Sequence, residues 1–391
     1  MYSYDPYSWK IQDDPYPYYK ILRDEYPTYF VEARNLWVIT RYADCMAALQ
    51  NPGVWSSAAS GNVLDDSPER IGRTLGTTDP PRHEELRRLV TKAFTPASVA
   101  KLEPLVRRTV LELIDTFLSE HTCDFTGQFA APLTASIVGY MLGIPKEDHA
   151  QLRVWTETVV RRSEGGNEHG GHAETFAETF KKLTDYIAEL VKSRRRVPQD
   201  DLISGLIAAE DAGARLSDQE IIITSATMVG AAFESTNMML GNALVALLSY
   251  PDQRTEVRED PGLIPEMIEE ALRWDTSTQG FLRTTTQDIT IEDTVVPAGS
   301  KAFIVFGAAN RDERQFPNPD RFDIHRKIGR HHLGFGWGIH ICLGAPLGRL
   351  EMKAAFEELL PRLGNYDIDL ANAERSHGPQ FRGYQVLPIT F

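Results

Sequence analysis

The stretch FGWGIHICLGAPLGRLE, Phe335 to Glu351, sets a cysteine behind a run of spaced glycines and directly ahead of a helical pattern. Gly336, Gly338 and Gly344 allow a tight path with positive φ and a close approach of backbone to some other group. A helix is expected to begin near Leu343. A cysteine at a helix N-terminus feels the dipole and the free N–H groups there, which favour a thiolate. A thiolate held by backbone donors is a good soft ligand for a metal. The bland alternative, a small buried residue in a turn, ordinarily wins for a lone cysteine.

The rest of the chain bounds the answer. At 391 residues it is above the size where a single core usually stops growing, which leaves one large domain or two smaller ones open, and 42% hydrophobic and 25% charged residues are ordinary for a soluble globular protein. A net charge of −14 argues against a surface that grips nucleic acid or anionic membrane. The N-terminus, MYSYDPYSWKIQDDPYPYYK, is aromatic and acidic and has no apolar run suited to a signal peptide or membrane anchor, so a cytoplasmic protein is expected. Cys45, Cys123 and Cys342 are odd in number and far apart, which disfavours a disulfide framework or a zinc site.

The periodicity is mostly helical. Pro17 to Glu25 reads as a helix, followed by a hairpin of TYFVE and LWVIT and a short helix over Tyr42 to Gln50. Ser56 to Thr78 is loop-like, and Asp79 is expected to cap the next helix. Long amphipathic patterns cover Pro96 to Leu118 and Phe125 to Leu142. Two more, Lys146 to Arg162 and Ala173 to Arg195, flank the glycine-rich loop SEGGNEHGGH, which suits a lid. Ser217 to Tyr250 is apolar almost all round, with Pro251 as its stop, and should run through the interior. Pro265 to Trp274 is helical, and Arg283 to Phe306 alternates like strands. One helix-rich domain over residues 1–391, mainly α with a small β region, is the reading.

FGWGIHICLG fills every defined position of F-G-x-G-x-H-x-C-x-G, the haem-binding loop of the cytochrome P-450 family, which the chain resembles over almost its whole length. The resemblance implies that fold, a triangular prism with a small β region, and haem b with Cys342 as its thiolate ligand. It further implies that Phe335 shields the sulfur, that Gly344 shapes the loop, and that His340 reaches a propionate. His83 and Arg87, at i and i+4 on one helical face, and Arg283 match the other propionate contacts, with His332 a weaker candidate. Glu270 and Arg273 fit E-x-x-R, and Arg321 matches the arginine that completes that structural charge network. A departure follows the loop, where Leu347-Gly348-Arg349 replaces the usual Leu-Ala-Arg.

In the long helix, Gly230-Ala231-Ala232-Phe233-Glu234-Ser235-Thr236 matches the distal pattern A/G-G-x-D/E-T-T. Glu234 takes the acid place and Ser235 that of the alcohol, with Thr236 next; Ala232 stands where glycine is common. An acid beside an alcohol in mid-helix can relay protons, and a charged glutamate in so apolar a helix is costly unless used or paired. The implied reaction inserts one atom of O2 into a small or medium apolar organic substrate, aromatic ones included, by hydroxylation, demethylation or epoxidation. The implied pocket is Val63, Leu75, Val229, Ala232, Phe233, Phe281 and Phe381, with Gln279 and Arg382 as polar handles.

No flavin or iron–sulfur segment is read in the chain. A separate ferredoxin or flavodoxin with its reductase is therefore implied, drawing ultimately on NAD(P)H and docking on a monomer near Arg88, Lys92, Arg330 and Lys353. The alternatives are a peroxide-driven peroxygenase and a non-catalytic haem-binding sensor. The acid–alcohol pair argues against the first.

Overall fold

A computed structural model describes residues 2–61, 70–163, 176–211, 214–327, 329 and 331–391. Its axis is the helix Asp218–Ser249. Ser217 starts it with a capping box: its hydroxyl accepts from the Glu220 N–H at 3.3 Å, and the Glu220 carboxylate accepts from the Ser217 N–H at 2.9 Å. Buried residues recur on every side of this helix, as its nearly uniform apolar sequence requires. Pro251 does more than stop it. The proline lies in the first turn of a further helix, Pro251–Glu259, where a missing N–H costs nothing.

Three helices pack with the C-terminal half of this axis: Ala131–Met141, Ile264–Trp274 and Ala345–Leu363. Together with Glu103–Asp115 they build one core around Val110, Phe129, Leu240, Leu244, Phe356 and Leu359, all fully buried. Each such side chain contributes about 1.5–3 kcal/mol by leaving water. The core therefore holds the helix that follows the cysteine rigidly against the long helix. The pattern over Pro96 to Leu118 is two helices, Pro96–Ala100 and Glu103–Asp115, rather than one. Among the described residues no helix is long and apolar enough to cross a membrane.

The β region is chiefly a five-stranded sheet in the order Thr28–Val31, Leu36–Ile39, Lys301–Val305, Gly280–Thr285, Trp55–Ser56. Its period of two decides what reaches the site. In Gly280–Thr285, Leu282 turns into the core with Val38, Phe303 and Val305, whereas Phe281 and Arg283 share the opposite face. Asp79 does not cap the helix Arg82–Thr91, whose N-cap is Pro81. Its carboxylate instead accepts from the Ser56 hydroxyl at 2.5 Å and the Ser57 N–H at 2.8 Å, tying the helix entry to the sheet edge.

Candidate active site

The cysteine loop is a closed turn. The Cys342 N–H donates to the Phe335 carbonyl at 2.9 Å, with Gly336 and Gly338 at φ 67° and 70° between them. A Cβ at Gly338 would collide with the Leu49 carbonyl, so only glycine fits there. The helix Ala345–Leu363 begins two residues beyond the expected start. The Cys342 side chain opens onto an internal cavity and is otherwise surrounded by protein. Burial pushes the free thiol up, opposed by the N–H groups of Gly344 and Ala345 and by Arg87 and Arg349. The helix-terminal donors are thus present as expected, but without a cation at the sulfur they do not outweigh desolvation. Gly348 leaves room for a methyl: a Cβ would sit 3.5 Å from Thr236 Oγ1 and 3.9 Å from the Phe335 ring. Gly348→Ala is therefore expected to stabilise the protein by about 0.5–1 kcal/mol, read as a higher urea midpoint.

The cavity, of ≈ 320 Å³, lies between this loop and the long helix. Arg283 lines it and is buried, yet among the described residues its guanidinium finds one acceptor, the Leu282 carbonyl at 2.6 Å. Burial lowers its pKa to about 10, against a contribution from Asp79. His83 is buried, and among the described residues neither ring nitrogen has a hydrogen-bond partner; its ring packs edge-on against His340 at 4.4 Å. His340 also lines the cavity and lies 3.2 Å from the Ser57 hydroxyl. Burial, then the charges of Arg283 and its neighbours, push its pKa down to about 2, so the imidazole is neutral. Arg87 donates to the carbonyls of Ile341 at 2.7 Å and Ile339 at 3.4 Å, clamping the loop from outside.

These residues fit haem. A buried cation that hydrogen-bonds no carboxylate and a buried histidine without a partner, as among the described residues here, are each costly unless a further acceptor meets them. Two propionates supply such acceptors, while a thiol and an apolar helix face the same cavity from either side.

Two ion clusters hold the loop from beneath. The Glu269 carboxylate accepts from Nε and Nη2 of Arg349, at 2.5 and 2.9 Å, and lies 3.0 Å from His332 Nε2. The Arg349 guanidinium sits 4.5 Å from the Phe335 ring centroid. His332 is fully buried, and its Nδ1 accepts from the Gly334 N–H, so it serves the loop and does not reach for a cofactor. Burial would raise the Glu269 pKa, but its hydrogen bonds with Arg349 and His332 outweigh this and take it from 4.5 to about 2. A carboxylate depressed on folding stabilises above its unfolded value and loses that contribution as pH falls through the folded one. The stability advantage of wild type over Glu269→Gln, measured by urea unfolding, is therefore expected to shrink as pH falls from 4.5 toward 2.

In the second cluster Glu270 and Arg273 pair at 2.7 and 2.8 Å with both side chains buried. The third member is Arg326, 3.2 Å from Glu270. Arg321, expected in that place, has an exposed side chain and contributes only its carbonyl, to Arg273 at 3.1 Å.

On the long helix the cavity face carries Thr227, Gly230, Ala231 and Ser235, at the i, i+3, i+4, i+8 spacing of one stripe, with Thr236 beside it. Ser235 donates to the Ala231 carbonyl at 2.9 Å, the one-turn back-bond its place suggests. Glu234 is buried beside it. Val229, Ala232 and Phe233 are off the stripe. Val229 and Ala232 pack into a core cluster with Leu86 and Leu206, and Phe233 packs on Ala131 and Ala135. Leu75 joins the same cluster as Val229 and is not among the lining residues, where Thr74 and Gly76 stand instead.

Phe281 and Phe381 line the cavity as expected. Val63, most of the SEGGNEHGGH loop and Arg330 lie outside the described residues. The two polar handles are taken. Gln279 donates to the Thr276 carbonyl at 2.7 Å and accepts from Tyr19 at 3.0 Å, while Arg382 is buried against Asp275 at 2.8 Å. Arg88 and Lys92 are exposed, and Lys353 pairs with Glu357 at 3.4 Å.

Comparison with known proteins agrees with this geometry. Residues 168–261 and 262–370 match the family model described as Cytochrome P450. The chain is 38% identical over 99% of its length to a putative cytochrome P450 123 of Mycobacterium tuberculosis, covering 96% of that protein. It is 34% identical over 95% of its length to the cyclomarin C epoxidase CymV of Salinispora arenicola, covering 94% of it. Among solved structures, cytochrome P450 CYP109Q5 from Chondromyces apiculatus superposes with a TM-score of 0.89 at 34% identity, covering 99% of this chain and 97% of that one. Likeness of this extent, in sequence and in architecture, makes the chain a member of the cytochrome P450 family of haem-dependent monooxygenases.

Proposed function

We propose that Cys342 is the thiolate ligand of the haem and that His83, Arg87, Arg283 and His340 form its propionate end. The observation that carries this is the Cys342 thiol opening onto the same cavity as the buried Arg283, which among the described residues hydrogen-bonds no carboxylate. When bound, the haem supplies dioxygen activation and the insertion of one oxygen atom into substrate. The chain does the rest. Arg87 and the two ion clusters hold the loop, the Gly344 and Ala345 N–H groups face the sulfur, and Phe335 with Arg349 covers one side of it. Ser235 holds its proton on the Ala231 carbonyl, one bond rotation from the cavity, and Glu234 is the acid beside it. Together they pass protons inward while bulk water is kept out.

Electrons come from a separate ferredoxin or flavodoxin and its reductase, ultimately from NAD(P)H. Exposed Arg88 and Lys92 belong to the docking face for an acidic carrier. Residues 1–391 act as one catalytic domain. The substrate is an apolar molecule, packed by Phe281 and Phe381. Epoxidation is named for one relative and stands with hydroxylation as the outcome class.

The test is the absorption spectrum of the reduced protein under carbon monoxide. A Soret band shifted strongly to the red is expected; a band like that of a histidine-ligated haem, or no haem, sinks the assignment. Turnover with a ferredoxin system, with peroxide alone and with neither separates a monooxygenase from a peroxygenase and a sensor.

A further inference from the structure

Two polar side-chain atoms of the cavity residues, Gln380 Nε2 and Thr227 Oγ1, have no hydrogen-bond partner among the described residues. Gln380 is 93% buried and lines the cavity, and its Nε2 has no hydrogen-bond partner. Its backbone is fixed all the same. The Gln380 carbonyl accepts from the Gln279 N–H at 2.7 Å, Phe381 bridges to Thr278, and Arg382 donates its N–H to Ser277 at 2.8 Å. Arg382 is then locked by Asp275, so the carboxamide is presented from a rigid turn.

On the long helix, Thr227 also lines the cavity, and its Oγ1 is buried without a partner. A mid-helix hydroxyl ordinarily rests on the carbonyl one turn back, as Ser235 does; Thr227 does not. Ala226, Gly230, Phe281 and Phe381 give the cavity an apolar wall, and Arg70, Ser277 and Thr278 line it as well.

Resting on the monooxygenase reading above, we propose that Gln380 and Thr227 anchor the substrate by a neutral oxygen function. The substrate is an apolar molecule carrying a ketone, ester or amide carbonyl or a hydroxyl, and not a free carboxylate. A carboxamide donates or accepts whichever way it is turned, and a hydroxyl does both, so the pair recognises a neutral oxygen of either kind. A carboxylate would need a cation at this turn, and Arg382 there is already paired with Asp275; Arg70 also lines the cavity, and the carboxylate arm of the experiment tests it. A site built to hydrogen-bond an oxygen rejects the analogue without it, because the buried groups are then left unmet.

The experiment uses the haem-loaded full chain and matched ligand sets of graded size. Each set contains a ketone, the hydrocarbon lacking the oxygen and the corresponding carboxylate, such as 4-phenylcyclohexanone, phenylcyclohexane and 4-phenylcyclohexanecarboxylate. Affinities are read by calorimetry and by the ligand-induced Soret shift. The wild type is expected to bind the best ketone about tenfold more tightly than its hydrocarbon, the size of one neutral hydrogen bond. Gln380→Leu is expected to remove most of that preference and Thr227→Val part of it. No ketone preference in any set overturns the proposal, as does a preference that survives both substitutions or a carboxylate that binds tightest. Failure of the haem–thiolate assignment would show separately, as a missing red-shifted band under carbon monoxide, while calorimetry would still read the ketone preference.

Discussion

Cys342→Ala is expected to fold, yet to lose the red-shifted carbon monoxide band and to fall to background in product formation. The fold should survive because the loop does not depend on the sulfur. Its closure is the Cys342 N–H on the Phe335 carbonyl, its path is set by two glycines at positive φ, and Arg87 binds the carbonyls of Ile339 and Ile341. Alanine keeps every one of those bonds. Function should not survive, because no other thiol can take over. Cys45 and Cys123 are buried away from the cavity, and burial raises the first well above its ordinary pKa and the second to about 12. Cys342→His separates loss of ligand from loss of fold: haem should still bind, with the carbon monoxide band where an imidazole ligand puts it. A red-shifted band persisting in Cys342→Ala would show that the ligand lies elsewhere. Far-ultraviolet circular dichroism on the same samples checks that the variants are folded.

How much of this was legible in the sequence depends on whether a requirement is local. The cysteine loop could be read because each of its needs, the positive φ, the backbone closure and the helix start, falls within ten residues. Glu270 and Arg273 could be read because i, i+3 is one helical face. The third member of that cluster could not be. Arg321 and Arg326 lie five apart in an irregular segment, where no period says which side chain turns inward. The cavity face of the long helix was legible only in part, at Ser235 and Thr236, for another reason. A helix apolar all round gives no stripe by hydrophobicity, so Val229 and Phe233 looked as suitable as their neighbours. The signal that marks the stripe is size and polarity: Thr227, Gly230, Ala231 and Ser235 are small or hydroxylated at helical spacing. The Asp275–Arg382 and Glu269–Arg349 pairs join residues 107 and 80 positions apart, and only the fold brings them together.

Arg273→Ala is expected to leave the protein largely unfolded or unable to retain haem, whereas Arg321→Ala should be nearly silent. The Arg273 side chain is fully buried and donates to both oxygens of Glu270 and to the carbonyls of Asn310, Pro319 and Arg321. Removing it takes the two-pronged partner from the buried Glu270 carboxylate, which keeps Arg326 and the Asp323 N–H, and takes a donor from three carbonyls at once. Breaking a buried pair in this way costs about 3–5 kcal/mol, a large share of the roughly 5–15 kcal/mol that holds a domain together. Arg273→Lys should do little better, since a point charge cannot span acceptors laid out for a fork. Arg326→Ala should fall between, because Arg326 meets Glu270 at 3.2 Å but also serves the Pro317, Asn318 and Arg321 carbonyls. The damage should reach the haem through one residue. Asn310, whose carbonyl Arg273 holds, accepts from the Leu333 N–H at 2.6 Å through its side chain, and Leu333 leads into the cysteine loop. Urea midpoints and haem content measured together on Arg273→Ala, Arg326→Ala and Arg321→Ala should therefore fall in that order. Equal losses from Arg321→Ala and Arg326→Ala would place the third charge at the wrong arginine.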